Sequence, residues 1–142
     1  MDRITYVEIA GSKYPLSFSL GASKAFAKKF GSIDKMGEVM RSAGDGVNME
    51  TLDAITYIMA VLIQQGVAYM NLFCKDLPPE KGARIEDGKY VALTEEELDV
   101  AVDLNNAGDL IAAITGAMNT SGKTELEVQS KEKNGKAPEE TD

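Results

Sequence analysis

The chain of 142 residues contains no histidine and only one cysteine, Cys74. Without histidine there are no Ser-His-Asp or Cys-His nucleophile pairs, no imidazole metal ligands and no general base of the commonest kind. A non-enzymatic protein with no cofactor and no metal is expected. One cysteine excludes an internal disulfide and fits a reducing, intracellular home. Also lacking is any basic stripe interleaved with aromatics. The formal net charge is −8, which repels a phosphate backbone, so nucleic acid is not an expected partner. The start Met-Asp-Arg-Ile-Thr-Tyr is not of signal-peptide form, and Gln64 and Gln65 break the longest apolar run before it reaches ~18 residues. These absences point to a soluble cytoplasmic protein with no membrane partner.

What is present is organised around the stretch from Asn48 to about Cys74. Leu52, Ile55, Met59, Leu62, Ile63, Tyr69, Met70 and Phe73 recur at three- and four-residue steps and share one helical face. Ile58, Val61 and Val67 fall on its flanks, leaving a narrow polar line of Asp53, Thr56, Gln64 and Asn71. A helix apolar around most of its girth has to be wrapped by other elements. At ~1.5 Å per residue it spans roughly 35–40 Å, the diameter of a small domain.

Around this helix the chain predicts an α+β fold, mainly α: an N-terminal β-hairpin packed on a bundle of about five helices. The hairpin is expected over residues 3–20, with Ala10-Gly11-Ser12-Lys13 as its turn and Pro15 suited to an edge strand or a strand start. Ser19 caps a first helix carrying Ala22, Phe26 and Phe30, stopped by Gly31. Ser32 caps a second, with Asp34 in its first turn and Ile33, Met36 and Met40 as its stripe. Residues 42–46 read as a flexible link, and Asn48 caps the central helix with Glu50 in the first turn. After Cys74 the periodicity is lost. Asp87-Gly88 between short apolar runs signals a two-residue hairpin turn, so residues 78–91 form either a small surface hairpin or an open loop. Thr94 and Glu97 make a capping box, with Leu93 and Leu98 as the accompanying hydrophobic staple. The turn Asn105-Asn106-Ala107-Gly108 leads to a last helix from Asp109, with Leu110, Ile111, Ile114 and Met118 inward. Residues 1–119 thus form one domain, and residues 120–142, aperiodic and poor in apolar side chains, a disordered acidic and polar tail.

Several motifs invite chemistry and are better explained without it. Gly122-Lys123-Thr124 suggests a phosphate loop, but the first glycine of that pattern would fall at Ala117 and a helix precedes it. Asp103 to Gly108 resembles half of a calcium loop, yet Ala107 has no side-chain oxygen and Ile114 stands where a bidentate Glu is needed. Glu95, Glu96 and Glu97 favour a helix N-terminus as solvated charges. Cys74 has only Lys75 beside it as a hint of thiolate activation and reads as a partly buried structural thiol. Met36, Met40, Met49, Met59, Met70 and Met118 are core packing or an adaptable binding face. The end of the central helix, at Tyr69, Met70 and Phe73, is the candidate partner-binding surface.

Taken in order, Gly11-Ser-Lys-Tyr-Pro-Leu16, Lys29-Phe-Gly-Ser-Ile33, the long apolar helix and Leu93-Thr-Glu-Glu-Glu-Leu98 resemble the tail assembly chaperones of tailed bacteriophages. The likeness is strongest to those of phages and prophages of Gram-positive bacteria. It spans most of residues 4–119 and is poorest over residues 78–91. The resemblance implies a non-enzymatic protein of the host cytoplasm, absent from the mature virion. Such a protein forms a homo-oligomer and keeps the tape measure protein soluble during tail morphogenesis, with the tail tube protein as a further partner. It also implies a longer product made by programmed ribosomal frameshifting, for which Gly122-Lys123 and Gly135-Lys136 are the candidate positions. The alternatives are a structural component of the phage tail and a small helical protein-binding adaptor.

Overall fold

A computed structural model describes residues 3–133 of the chain, with side chains described for residues 3–120. Its architecture is α+β, with a hairpin and surrounding helices wrapped around one long helix. The hairpin pairs β1 (Thr5–Ile9) with β2 (Ser12–Leu16) antiparallel, Ile9 opposite Ser12 and Thr5 opposite Leu16. Its loop is Ala10-Gly11 alone, both with positive φ (53° and 85°), the type I′ geometry that follows the twist of the strands. The four-residue turn expected from sequence is therefore too long: Ser12 and Lys13 already belong to β2. Counting pairs from that loop puts Pro15, opposite Tyr6, at a non-hydrogen-bonded position, where its missing N–H costs the ladder nothing. Val7, Ile9, Tyr14 and Leu16 turn one face of the hairpin into the main core.

The next elements, α1 (Leu20–Phe30) and α2 (Ile33–Ser42), start where their caps predict. Ser19 Oγ accepts from Ala22 N at 3.1 Å and Ser32 Oγ from Lys35 N at 3.0 Å, and Gly31 ends α1 at φ 96°. The expected flexible link contains a 3₁₀ turn, Ala43–Asp45. The central helix α3 (Met49–Phe73) opens on a reciprocal box: Thr51 N donates to Asn48 Oδ1 and Asn48 N to Thr51 Oγ1. Glu50 stands in the first turn as expected, and Thr51, the partner in the box, is fully buried. By length and composition α3 can span a membrane, which corrects the reading that Gln64 and Gln65 break its apolar run short; 56% of its most apolar window is buried inside the fold.

The segment after α3 is a small hairpin, β3 (Ile85–Glu86) with β4 (Lys89–Tyr90), turning at Asp87-Gly88 with φ 53° and 76°. Helix α4 (Glu95–Ala101) has the expected box: Glu97 N to Thr94 Oγ1 at 3.1 Å and Thr94 N to Glu97 Oε1 at 3.0 Å. Leu93 and Leu98, its staple, are both buried. Asp103 caps a 3₁₀ turn, Leu104–Asn106, that runs straight into α5 (Ala107–Lys133), so the last helix starts two residues before Asp109. Of the tail expected from residue 120, only Thr120 has a described side chain; the described backbone continues α5 to Lys133, and residues 134–142 lie outside the described residues.

One contact fixes the hairpin on the central helix. Gly66, buried in the middle of α3, faces the backbone of β2, and a Cβ placed on it would lie 2.1 Å from the Pro15 carbonyl oxygen and 2.8 Å from Leu16 N. No real side chain survives that approach. Beside it Ser17 N donates to the Leu62 carbonyl at 3.1 Å, and Ser19 Oγ donates to Gln65 Oε1. Gln65 thus has a structural use: it pins the cap of α1 to α3.

Candidate functional site

The three residues expected at a partner surface do not share one environment. Phe73 is 73% exposed and Tyr69 is half-buried, their ring centroids 5.4 Å apart, with the Arg3 guanidinium 5.4 Å from the Tyr69 centroid. Met70 is core. It is only 5% exposed and packs with Ile4 and Cys74 in a second apolar cluster, bordered by Tyr6, Tyr69 and Tyr90. Its assignment to the surface is therefore corrected: at this end of α3 the inward line runs through Met70 and Cys74 and the outward line through Leu72 and Phe73.

The exposed apolar surface instead extends forward along the chain. Leu72 and Leu77 are 65% and 53% exposed, and with Phe73 they place three large apolar side chains in water where α3 ends. Sequence reasoning missed both leucines. Leu72 lies off the three-and-four spacing used to choose the face, and Leu77 follows the point where the periodicity stops. An uninterrupted apolar girth carried to the last turn was the available signal, because no element follows closely enough to wrap it.

Beside this patch lies a polar assembly. The Asn71 side chain acts as a substitute peptide group: its Nδ2 donates to the Tyr90 carbonyl at 3.1 Å and its Oδ1 accepts from Tyr90 N at 2.9 Å. Tyr90 Oη accepts from Glu80 N at 2.9 Å, and Lys13 N donates to the Gly82 carbonyl at 2.9 Å. Lys13 Nζ also sits 3.6 Å from Glu80. Burial, together with the adjacent Tyr90, holds the Tyr6 phenol above its ordinary pKa. The Tyr14 hydroxyl and Glu86 likewise hold the Arg84 guanidinium above its own.

Elsewhere the surface has clefts, among them the following two. One, of about 210 Å³, lies between α3, α4 and the start of α5, with Leu52, Ile55, Val102 and Leu110 inside and Asp99 and Asp103 at its rim. Asp103 is engaged in capping, accepting from Asn105 N at 2.9 Å, which is the helix-corner role expected for it. The other, of about 450 Å³, is bounded by Gly21, Tyr57, Gln64 and Glu95. Among the described residues no group of three or more acidic or cysteine side chains could hold a metal ion. Thr120 is the last residue of the phosphate-loop-like run with a described side chain, and the two Gly-Lys pairs lie outside that range.

No protein-family model, curated protein or solved structure matches the chain.

Proposed function

We propose that the chain is a tail assembly chaperone of the tailed-phage kind, which binds and solubilises the tape measure protein before the tail tube polymerises around it. The observation that carries the reading is the group of exposed apolar side chains, Leu72, Phe73 and Leu77, at the end of the central helix. Leu20, Val47, Met49, Val100 and Leu104 are exposed as well, but Leu72, Phe73 and Leu77 fall within six residues of one another at one helix end, and such a group shields an amphipathic helix from aggregation by contributing the facing half of an apolar interface. The ordered motifs from Gly11 to Leu98 support the same reading, as does the net charge of −8, which keeps a complex in solution.

Co-expression tests it. A cognate tape measure protein is expected in the soluble fraction when the chain is present and in the pellet when it is absent. Phe73→Asp, on a side chain already in water, is expected to abolish the rescue while leaving helicity intact. Tape measure protein equally insoluble with and without the chain would overturn the proposal.

A further inference from the structure

None of residues 75–92 is buried. Tyr90 packs against the cluster of Ile4, Met70 and Cys74 and, with Ala92, against the edge of the main core. Apart from those two side chains their attachment to the rest of the fold is polar. Asn71 and Tyr6 hold Tyr90, Tyr14 holds Arg84, and Lys13 holds Gly82 and Glu80, while the bond from Glu80 N to the Tyr90 hydroxyl ties the segment to itself. Both ends are firm: Cys74 N closes α3 by donating to the Met70 carbonyl, and Leu93 is the buried staple of α4. A segment with fixed ends, little buried apolar area and a few polar fastenings opens at a fraction of the free energy of global unfolding.

We propose that residues 75–92 are a lid fastened by Asn71, which opens while the rest of the fold stays intact and bares Met70 and Cys74 beside Leu72 and Phe73. Opening turns a small exposed patch into a continuous apolar strip along the last turns of α3. Closing hides that strip when nothing occupies it. That the strip receives a protein partner rests on the function proposed above, whereas the opening itself does not.

Cys74, the only cysteine of the chain and 7% exposed, reports the opening directly. Its labelling by a small maleimide would be followed in the full-length protein across low urea concentrations. The wild type is expected to label with a urea dependence much weaker than that of global unfolding. Asn71→Leu, which removes both fastenings to Tyr90, is expected to label about tenfold faster or more at an unchanged far-ultraviolet spectrum. Should Asn71→Leu not fold, Tyr90→Phe removes the hydroxyl's bond to Tyr6 outside the segment, along with its contact to Glu80 within it, and is expected to accelerate labelling several-fold. Phe73→Asp separates this proposal from the one above, since it removes the partner surface and is expected to leave the labelling rate unchanged once divided by the rate of the same variant unfolded in urea, which cancels the effect of the new carboxylate on the adjacent thiolate. Labelling that follows global unfolding in the wild type, or folded Asn71 and Tyr90 variants that label at the wild-type rate, would overturn the lid.

Discussion

The two hairpins turn on the same local geometry, a pair of residues at positive φ ending in glycine, but are embedded in opposite ways. In β1–β2 one face is core: Ile9, Tyr14 and Leu16 are buried, and the backbone of β2 rests on α3 where Gly66 has no side chain. In β3–β4 no residue is buried, and a single amide side chain, Asn71, does what a neighbouring strand would do. An isolated two-stranded ribbon is marginal in water, so each needs outside support. The first takes it from apolar area and backbone fit, which are lost only when the fold is lost. The second takes it from one half-buried ring, Tyr90, and from hydrogen bonds that water can replace, which makes local opening cheaper than in the first.

The sharpest way to break this contrast is at Gly66. Gly66→Ala places a methyl carbon 2.1 Å from a backbone oxygen that cannot rotate away. It is expected to cost at least about 3 kcal/mol, at the upper end of overpacking effects, despite the better helix propensity of alanine. Denaturant unfolding measures it, and a midpoint equal to the wild type would mean that β2 does not seat on α3. The same substitution at Gly88, where an added Cβ meets nothing within 4 Å, should cost only the strain of its φ of 76°, roughly 1 kcal/mol.

Tyr6 joins the two regions, since it lies in β1 and hydrogen-bonds to Tyr90 of the lid. Tyr6→Phe is expected to cost about 1 kcal/mol at neutral pH. Its pH dependence carries the sign. Burial raises the Tyr6 pKa in the folded state, so the fold keeps the phenolic proton longer than the unfolded chain does. The stabilisation is complete below the unfolded pKa of about 10 and declines as pH rises above it. The stability difference between wild type and Tyr6→Phe should therefore shrink with pH above about 10, read from denaturant midpoints at successive pH values. A constant difference across that range would show that the phenol is as well solvated folded as unfolded.

Helix caps were the most legible part of the sequence, because a cap is decided by residues three apart. Ser19, Ser32, Asn48 and Thr94 all cap the helices predicted from them, and the Leu93–Leu98 staple is buried. Contacts between distant segments were not legible. A glycine within a helix reads as a weak point, and nothing local tells that Gly66 faces Pro15. Asn71 reads as one more residue of a polar line, although its partner is Tyr90. The candidate site failed at Met70 for a related reason. Periodicity places a residue on a face, but which face meets solvent near a helix end depends on what else packs there, here Ile4 from the hairpin.

The smallest expected effect sharpens the comparison at the turns themselves. Type I′ loops favour Asn-Gly or Asp-Gly, and the lid has Asp87-Gly88 while the buried hairpin has Ala10-Gly11. Alanine at φ 53° is uncommon, since its Cβ crowds the following carbonyl and it has no side-chain oxygen to compensate locally. The unfavourable residue is tolerated in the hairpin whose register is already set by Ile9, Tyr14 and Leu16 in the core, and the favourable one stands where the turn has to hold its strands with little help. Ala10 is exposed, so a larger side chain meets only water. Ala10→Asn should therefore stabilise the protein by roughly 0.5 kcal/mol through the turn alone, without altering the rate of Cys74 labelling. A shifted midpoint with unchanged labelling would confirm that the two hairpins respond independently, whereas a change in both would mean that the first hairpin and the lid open as one unit.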